Sequence, residues 1–148
     1  MSKTNQLAFT LLELLVVIAI IGILVSLAAA SFNNAQRKSR DARRKDDLQA
    51  VQTGLEQYYA INNSYQDGSL ISLEAYIDDL TDSGNYFPAG APVDPKNSGD
   101  YTYTIQANSS SYCICAHLES MVGNANASAT TTNCSFGSGD YYCIQNLQ

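Results

Sequence analysis

From Phe9 to Ala30 the chain is hydrocarbon almost without a break, its polar residues there being Thr10, Glu13 and Ser26. Twenty-two helical residues at 1.5 Å each span about 33 Å, close to the thickness of a bilayer core. A helix apolar on every side has to be covered by lipid or by other protein. Glu13 is the anomaly, since a carboxylate in lipid costs about 2.5–3.5 kcal/mol. A plain transmembrane anchor explains the length but not the glutamate. A secretory signal peptide ending at Ala30 would use Ala28-Ala29-Ala30 before Ser31 as its cleavage site. Its apolar region would exceed the usual span of about 7–15 residues, and only Lys3 precedes it. It too leaves Glu13 without a role.

The rest of the chain sets the frame. Its 148 residues suffice for one modest domain behind such a segment. Of the eight basic residues, six fall in one run: Arg37, Lys38, Arg40, Arg43, Arg44 and Lys45. From Asp46 onward twelve acidic residues face Lys96 alone, which argues against a nucleic-acid surface there. Four cysteines, Cys113, Cys115, Cys134 and Cys143, suit a small exported domain held by disulfides. With no tryptophan and one histidine, His117, which has no nucleophile or base partner in sequence, no catalytic residue is indicated.

The stretch Ala8-Phe9-Thr10-Leu11-Leu12-Glu13, leading into the apolar run, resembles the processing motif of type IV pilins and the related secretion pseudopilins. That resemblance implies cleavage between Ala8 and Phe9 by a prepilin peptidase, methylation of the new Phe9 amine, and a leader of residues 1–8. This chain has Ala8 where most members have glycine, and lacks a proline common near Ala30. It also implies partners: copies of the same chain in a filament, the peptidase with its N-methyltransferase activity, an inner-membrane assembly machine, and lipid before assembly. No cofactor and no specific nucleic-acid ligand are implied. The chain would be a single-pass membrane protein with its head outside the cytoplasm, then part of a cell-surface or periplasm-spanning filament. On this reading Glu13 has a purpose. The amine freed at Phe9 is a buried charge once subunits pack, and a paired buried charge is tolerable where an unpaired one is not. Glu13 of one subunit accepts the Phe9 amine of its neighbour, fixing the axial register. One signal points the other way, because a basic run directly after an apolar span favours the cytoplasmic side. The cysteines and the resemblance place it outside.

Beyond the apolar span, Arg37–Asp41, Asp41–Lys45 and Arg43–Asp47 are spaced as i,i+4 ion pairs supporting a continued helix. Leu48, Val51, Leu55 and Tyr58/Tyr59 then mark one apolar stripe, interrupted by Gly54, which costs about 1 kcal/mol relative to alanine. Asn62-Asn63-Ser64 ends the pattern, so the helix would run from Phe9 to about Ile61, roughly 80 Å. The basic run has three readings: a solvated face, a contact for anionic lipid heads, or a contact for the acidic head of another subunit. The expected divisions are a leader 1–8, an apolar helix 9–30, its amphipathic continuation 31–63 and a head 64–148.

In the head, Ser72 is placed to cap a short helix carrying Leu73, Ile77 and Leu80 on one face. Tyr101–Ile105 alternates as a strand with Tyr101, Tyr103 and Ile105 inward, followed by strand candidates at Tyr112–Leu118 and Tyr141–Gln145. Residues 123–133 are small and polar and read as an exposed loop. The fold expected is α+β: a long N-terminal helix packed on a small antiparallel sheet of three or four strands, with disulfides. "RRKDDLQAVQTGLEQYYAINNSY" and "YFPAGAPVDPKNSGDYTYTI" resemble the corresponding passages of bacterial pilins and major pseudopilins.

Cys113 and Cys115 lie two apart on a strand, so each is better placed to bond Cys134 or Cys143 than to bond the other, and two connectivities remain. A four-thiolate zinc site is the rival reading, but the C-x-x-C knuckles typical of such sites are missing. Asp94, Asp100 and Asp78-Asp79 offer oxygens for calcium, with solvated carboxylates the simpler account. Most of the ten tyrosines suit packing of a small sheet, and the Asn-x-Ser sequons at Asn62, Asn108, Asn126 and Asn133 are slight evidence for sugar. Three functions stand. The first is a pilin-like filament subunit, with a secretion or DNA-uptake pseudopilin as its variant. The others are a secreted disulfide-held binding domain released at Ala30, and a membrane-anchored thiol or metal protein.

Overall fold

A computed structural model describes residues 9–80, 83–120, 123–129 and 131–148, without the side chains of 28–30 and 70. The proposed leader, including Ala8, lies outside the described residues. The chain divides into two compact units, one ending at Gln36 and the other Arg37–Gln148.

Helix α1 runs Leu11–Asn62, within two residues of the expected bounds. It stops where Asn63 turns to φ 53°, donating its N–H to Tyr59 O at 2.7 Å, and asparagine tolerates that left-handed conformation better than most residues. Strand β1 (Gly68–Ser72) follows, then helices α2 (Leu73–Asp79) and α3 (Ser83–Tyr86), and strands β2 (Thr104–Ala107), β3 (Tyr112–His117) and β4 (Tyr141–Gln145). The strands form one antiparallel sheet in chain order, with Ile105 opposite Ile114 and Cys115 opposite Cys143. β1 is an element the hydrophobic pattern did not reveal. Ser72 is both its last residue and the N-cap of α2, with its hydroxyl accepting from Ala75 N–H.

The sheet is covered on both faces. On one lies the core of the second unit: Leu48, Val51, Leu55 and Tyr58 of α1 against Ile105, Tyr112, Ile114 and Ala116, with Leu73, Tyr76, Ile77 and Leu80 beside them. Gly54 finds its reason here. A Cβ at that position would come within 2.5 Å of the Phe87 ring, so the missing side chain makes room for the ring against the helix. The other face carries Cys113, Cys115 and Cys143, packed with Ala125 and Ala129.

Two expectations need correcting. The strand read at Tyr101–Ile105 begins only at Thr104, and Tyr101 is not a core residue. Tyr101 closes a turn onto Ser98 O and its ring stacks on His117 at 4.8 Å, with Lys96 Nζ 3.8 Å from its centroid. The loop around residues 123–133 is not simply exposed either. Ala125 and Ala129 are buried, and Asn124 clamps β4 by accepting from Cys143 N–H at 2.7 Å and donating to Cys143 O at 2.9 Å. Small residues there permit close approach: a Cβ on Gly123 would collide with the Tyr141 carbonyl.

Candidate functional site

The described side chains in the apolar half of α1 are all exposed. Phe9, Leu11, Leu12 and Ile18 are each more than half exposed, and none of the helix's most apolar window is buried. That window is long and apolar enough to cross a membrane. At its start, Thr10 and Glu13 form a reciprocal cap. Glu13 Oε2 accepts from the Thr10 N–H at 2.9 Å and from its hydroxyl at 2.8 Å, while Glu13 N–H donates to Thr10 Oγ1 at 3.2 Å. This is a capping box, which satisfies amides that the first helical turn leaves unpaired. Glu13 therefore has a local role as well as any intermolecular one. Both side-chain bonds reach Oε2, so among the described residues Oε1 is not engaged.

A second cluster lies where α1 enters the head. Arg44 is completely buried and bidentate to Asp94, Nε to Oδ2 at 2.6 Å and Nη2 to Oδ1 at 2.9 Å. Its Nη1 also donates to Asp41 at 2.8 Å and to Glu119 at 3.0 Å. Arg40 grips Glu119 through two further bonds of 2.7 Å. Burial disfavours the Arg44 charge, but the three carboxylates outweigh it and raise its pKa. Glu119 is pulled down to about 2, by its bonds to Arg40 first and to Arg44 against the opposing effect of burial. Asp94 is also lowered, because Arg44 and the N–H groups of Lys96 and Asn97 overcome its burial.

This changes the reading of the basic run. Asp41 does not pair with Arg37 or Lys45; it takes Arg44 and the N–H groups of Glu119 and Ser120, so of the three spaced pairs only Arg43–Asp47 is present, at 3.8 Å. Arg40 and Arg44 belong to the head's own structure and not to a solvated face. Asp94 is an ion-pair partner of arginine, which removes it as a calcium ligand. A sequence signal for this existed: Asp41 and Arg44 fall at spacings of three and four on the same stripe as Leu48, Val51, Leu55 and Tyr58.

Disulfides join Cys113 to Cys134 and Cys115 to Cys143, one of the two connectivities left open. His117 lies between the rings of Tyr101 and Tyr141, with Nε2 3.2 Å from Asp140.

Residues 3–29 match the family model of the prokaryotic N-terminal methylation motif. Over 59 residues the chain is 37% identical to the type IV major pilin protein PilA of Myxococcus xanthus, covering 40% of this chain and 27% of that protein. Over 65 residues it is 38% identical to the type II secretion system core protein G of Aeromonas hydrophila, covering 44% of this chain and 46% of that one. The match thus spans less than half the length of either relative. No solved structure matches. The resemblance to type IV pilins and pseudopilins is borne out by the motif and by these two similarities.

Proposed function

We propose that this chain, which carries the methylation motif of type IV pilins and pseudopilins, is a structural subunit of a bacterial filament. It is made with a leader, cut between Ala8 and Phe9, methylated on Phe9 and assembled through α1. The observation carrying this reading is an apolar half-helix whose described side chains are all exposed, interrupted at its start by one carboxylate whose Oε1 is not engaged among the described residues. In lipid the helix is an anchor; in a filament, neighbouring copies take the place of lipid. The Phe9 amine of one subunit then meets Glu13 Oε1 of the next, and other axial staggers leave two unpaired charges in an apolar bundle. The partners are a prepilin peptidase and methyltransferase, an inner-membrane assembly machine and further copies, with the head outside the cytoplasm. Two of the six basic residues that favour the opposite orientation are tied up inside the head, consistent with this topology.

Glu13→Ala and Glu13→Gln, introduced in the native host, test the register argument. Both variants should be processed to the Phe9 terminus yet yield at least about tenfold fewer filaments, since roughly 1.4 kcal/mol of lost pairing already means tenfold. Normal filament yield from Glu13→Ala would leave the glutamate only its capping role. A second reading, a pseudopilin of a secretion or DNA-uptake system, has the similarity to secretion core protein G in its favour. Long surface fibres support the first reading, and short periplasm-spanning ones the second.

A further inference from the structure

The filament reading uses the cysteines only as braces, yet their arrangement permits a different chemistry. All four Sγ atoms lie within 4.8 Å of one another, although they belong to two separate disulfides. Cys113 Sγ and Cys115 Sγ, which are not bonded to each other, are 3.8 Å apart. A tetrahedral zinc tetrathiolate with Zn–S of about 2.3 Å has S···S edges of about 3.8 Å. One edge of that tetrahedron is thus already in place, while the two bonded pairs, Cys113–Cys134 and Cys115–Cys143, move apart on reduction to complete it. The fold achieves this without C-x-x-C knuckles. Strand pleating puts Cys113 and Cys115 on one face of β3, pairing puts Cys143 opposite Cys115, and the clamped loop brings Cys134. Cys113, Cys115 and Cys143 are each 1% exposed, so the site excludes water on most sides.

We propose that, when its cysteines are reduced, this head binds one soft divalent cation, zinc by preference, through Cys113, Cys115, Cys134 and Cys143. Four thiols give up four protons and their thiolates bind one Zn²⁺, so affinity rises with pH. Disulfides and metal use the same sulfurs and exclude each other. Sγ of Cys134 and of Cys143 face the Ile144 and Ala127 carbonyls, weak contacts that a thiol donates and that metal binding replaces. In either state the covering loop is pinned to β3 and β4, by two covalent bridges or by one ion. The head would then have a folded form before its disulfides are made.

The test uses the full chain in detergent, fully reduced and anaerobic, titrated with Co²⁺ and then Zn²⁺. The expected result is one cobalt per chain with thiolate-to-cobalt charge transfer and the intense visible bands of a tetrahedral site. Zinc should displace the cobalt, and the oxidised chain should show none of this. Cys143→Ser should bind at least about tenfold more weakly. Hydrogen exchange provides the second readout: zinc should restore protection to β3 and β4 of the reduced chain. Absence of the charge-transfer band, equal binding by the oxidised chain, or zinc binding with no gain in protection would each overturn the proposal.

Discussion

Arg44 shows how one side chain can organise a fold boundary. It is a full charge with no exposed surface, held by Asp94, Asp41 and Glu119, residues up to 75 positions away in the chain. Truncating it leaves buried Asp94 and Asp41 without their arginine, while Glu119 keeps Arg40, and breaking such a buried pair typically costs about 3–5 kcal/mol. Arg44→Ala should therefore lower the urea midpoint of the head sharply, whereas Arg37→Ala, at an exposed position, should leave it within about 0.5 kcal/mol. The same cluster sets a pH response. Asp94 and Glu119 are both depressed in the folded state, Glu119 from 4.5 to about 2. Depressed carboxylates lend stability that is complete above their unfolded value and is lost as pH falls toward the folded one. The urea midpoint should hold from neutral pH to about 4.5 and decline from there to about 2, and Arg44→Ala should flatten that decline. Gly54 gives an opposite lesson about propensity. Alanine there gains about 1 kcal/mol of helix preference but pushes against the Phe87 ring, an overpacking cost of about 1–3 kcal/mol. Thermal unfolding of Gly54→Ala should show net destabilisation, relieved when Phe87→Leu is added.

Among the elements, those made by local pattern were the legible ones. The bounds of α1, the Ser72 cap and the strands β3 and β4 followed from apolar spacing, turn formers and alternation, all readable within a dozen residues. β1 was hidden because five residues, Gly-Ser-Leu-Ile-Ser, become a strand only through pairing with β2. Tyr101 misled because its alternation with Tyr103 continues the strand pattern, while its ring is claimed by Lys96, Arg44 and His117. Two of the three helix pairs read into the basic run, those using Asp41, failed for a related reason. Charge spacing along a helix predicts pairs within the helix, and the stronger bidentate partners came from distant segments that no local window contains. The cap of α2 is a local device with a local cost. Ser72→Ala should destabilise the head by about 1 kcal/mol, seen as a modest shift in thermal midpoint with no change in disulfide content.

For the whole molecule, the decisive contrast is between its two units. The unit from Arg37 onward buries apolar residues between helix, sheet and loop; in the one before it, every described side chain is exposed. An exposed apolar helix needs lipid or other protein to cover it, and residues 3–29 carry the prokaryotic N-terminal methylation motif. The central claim is that the apolar helix is kept in the mature protein and begins at Phe9. Terminal-peptide and intact-mass spectrometry of the protein from its own cells tests this most directly. The account predicts a mature chain starting at Phe9 with one methyl group on its amine. A mature chain starting at Ser31 would contradict it, since the helix, Glu13 and the assembly they serve would all have been removed.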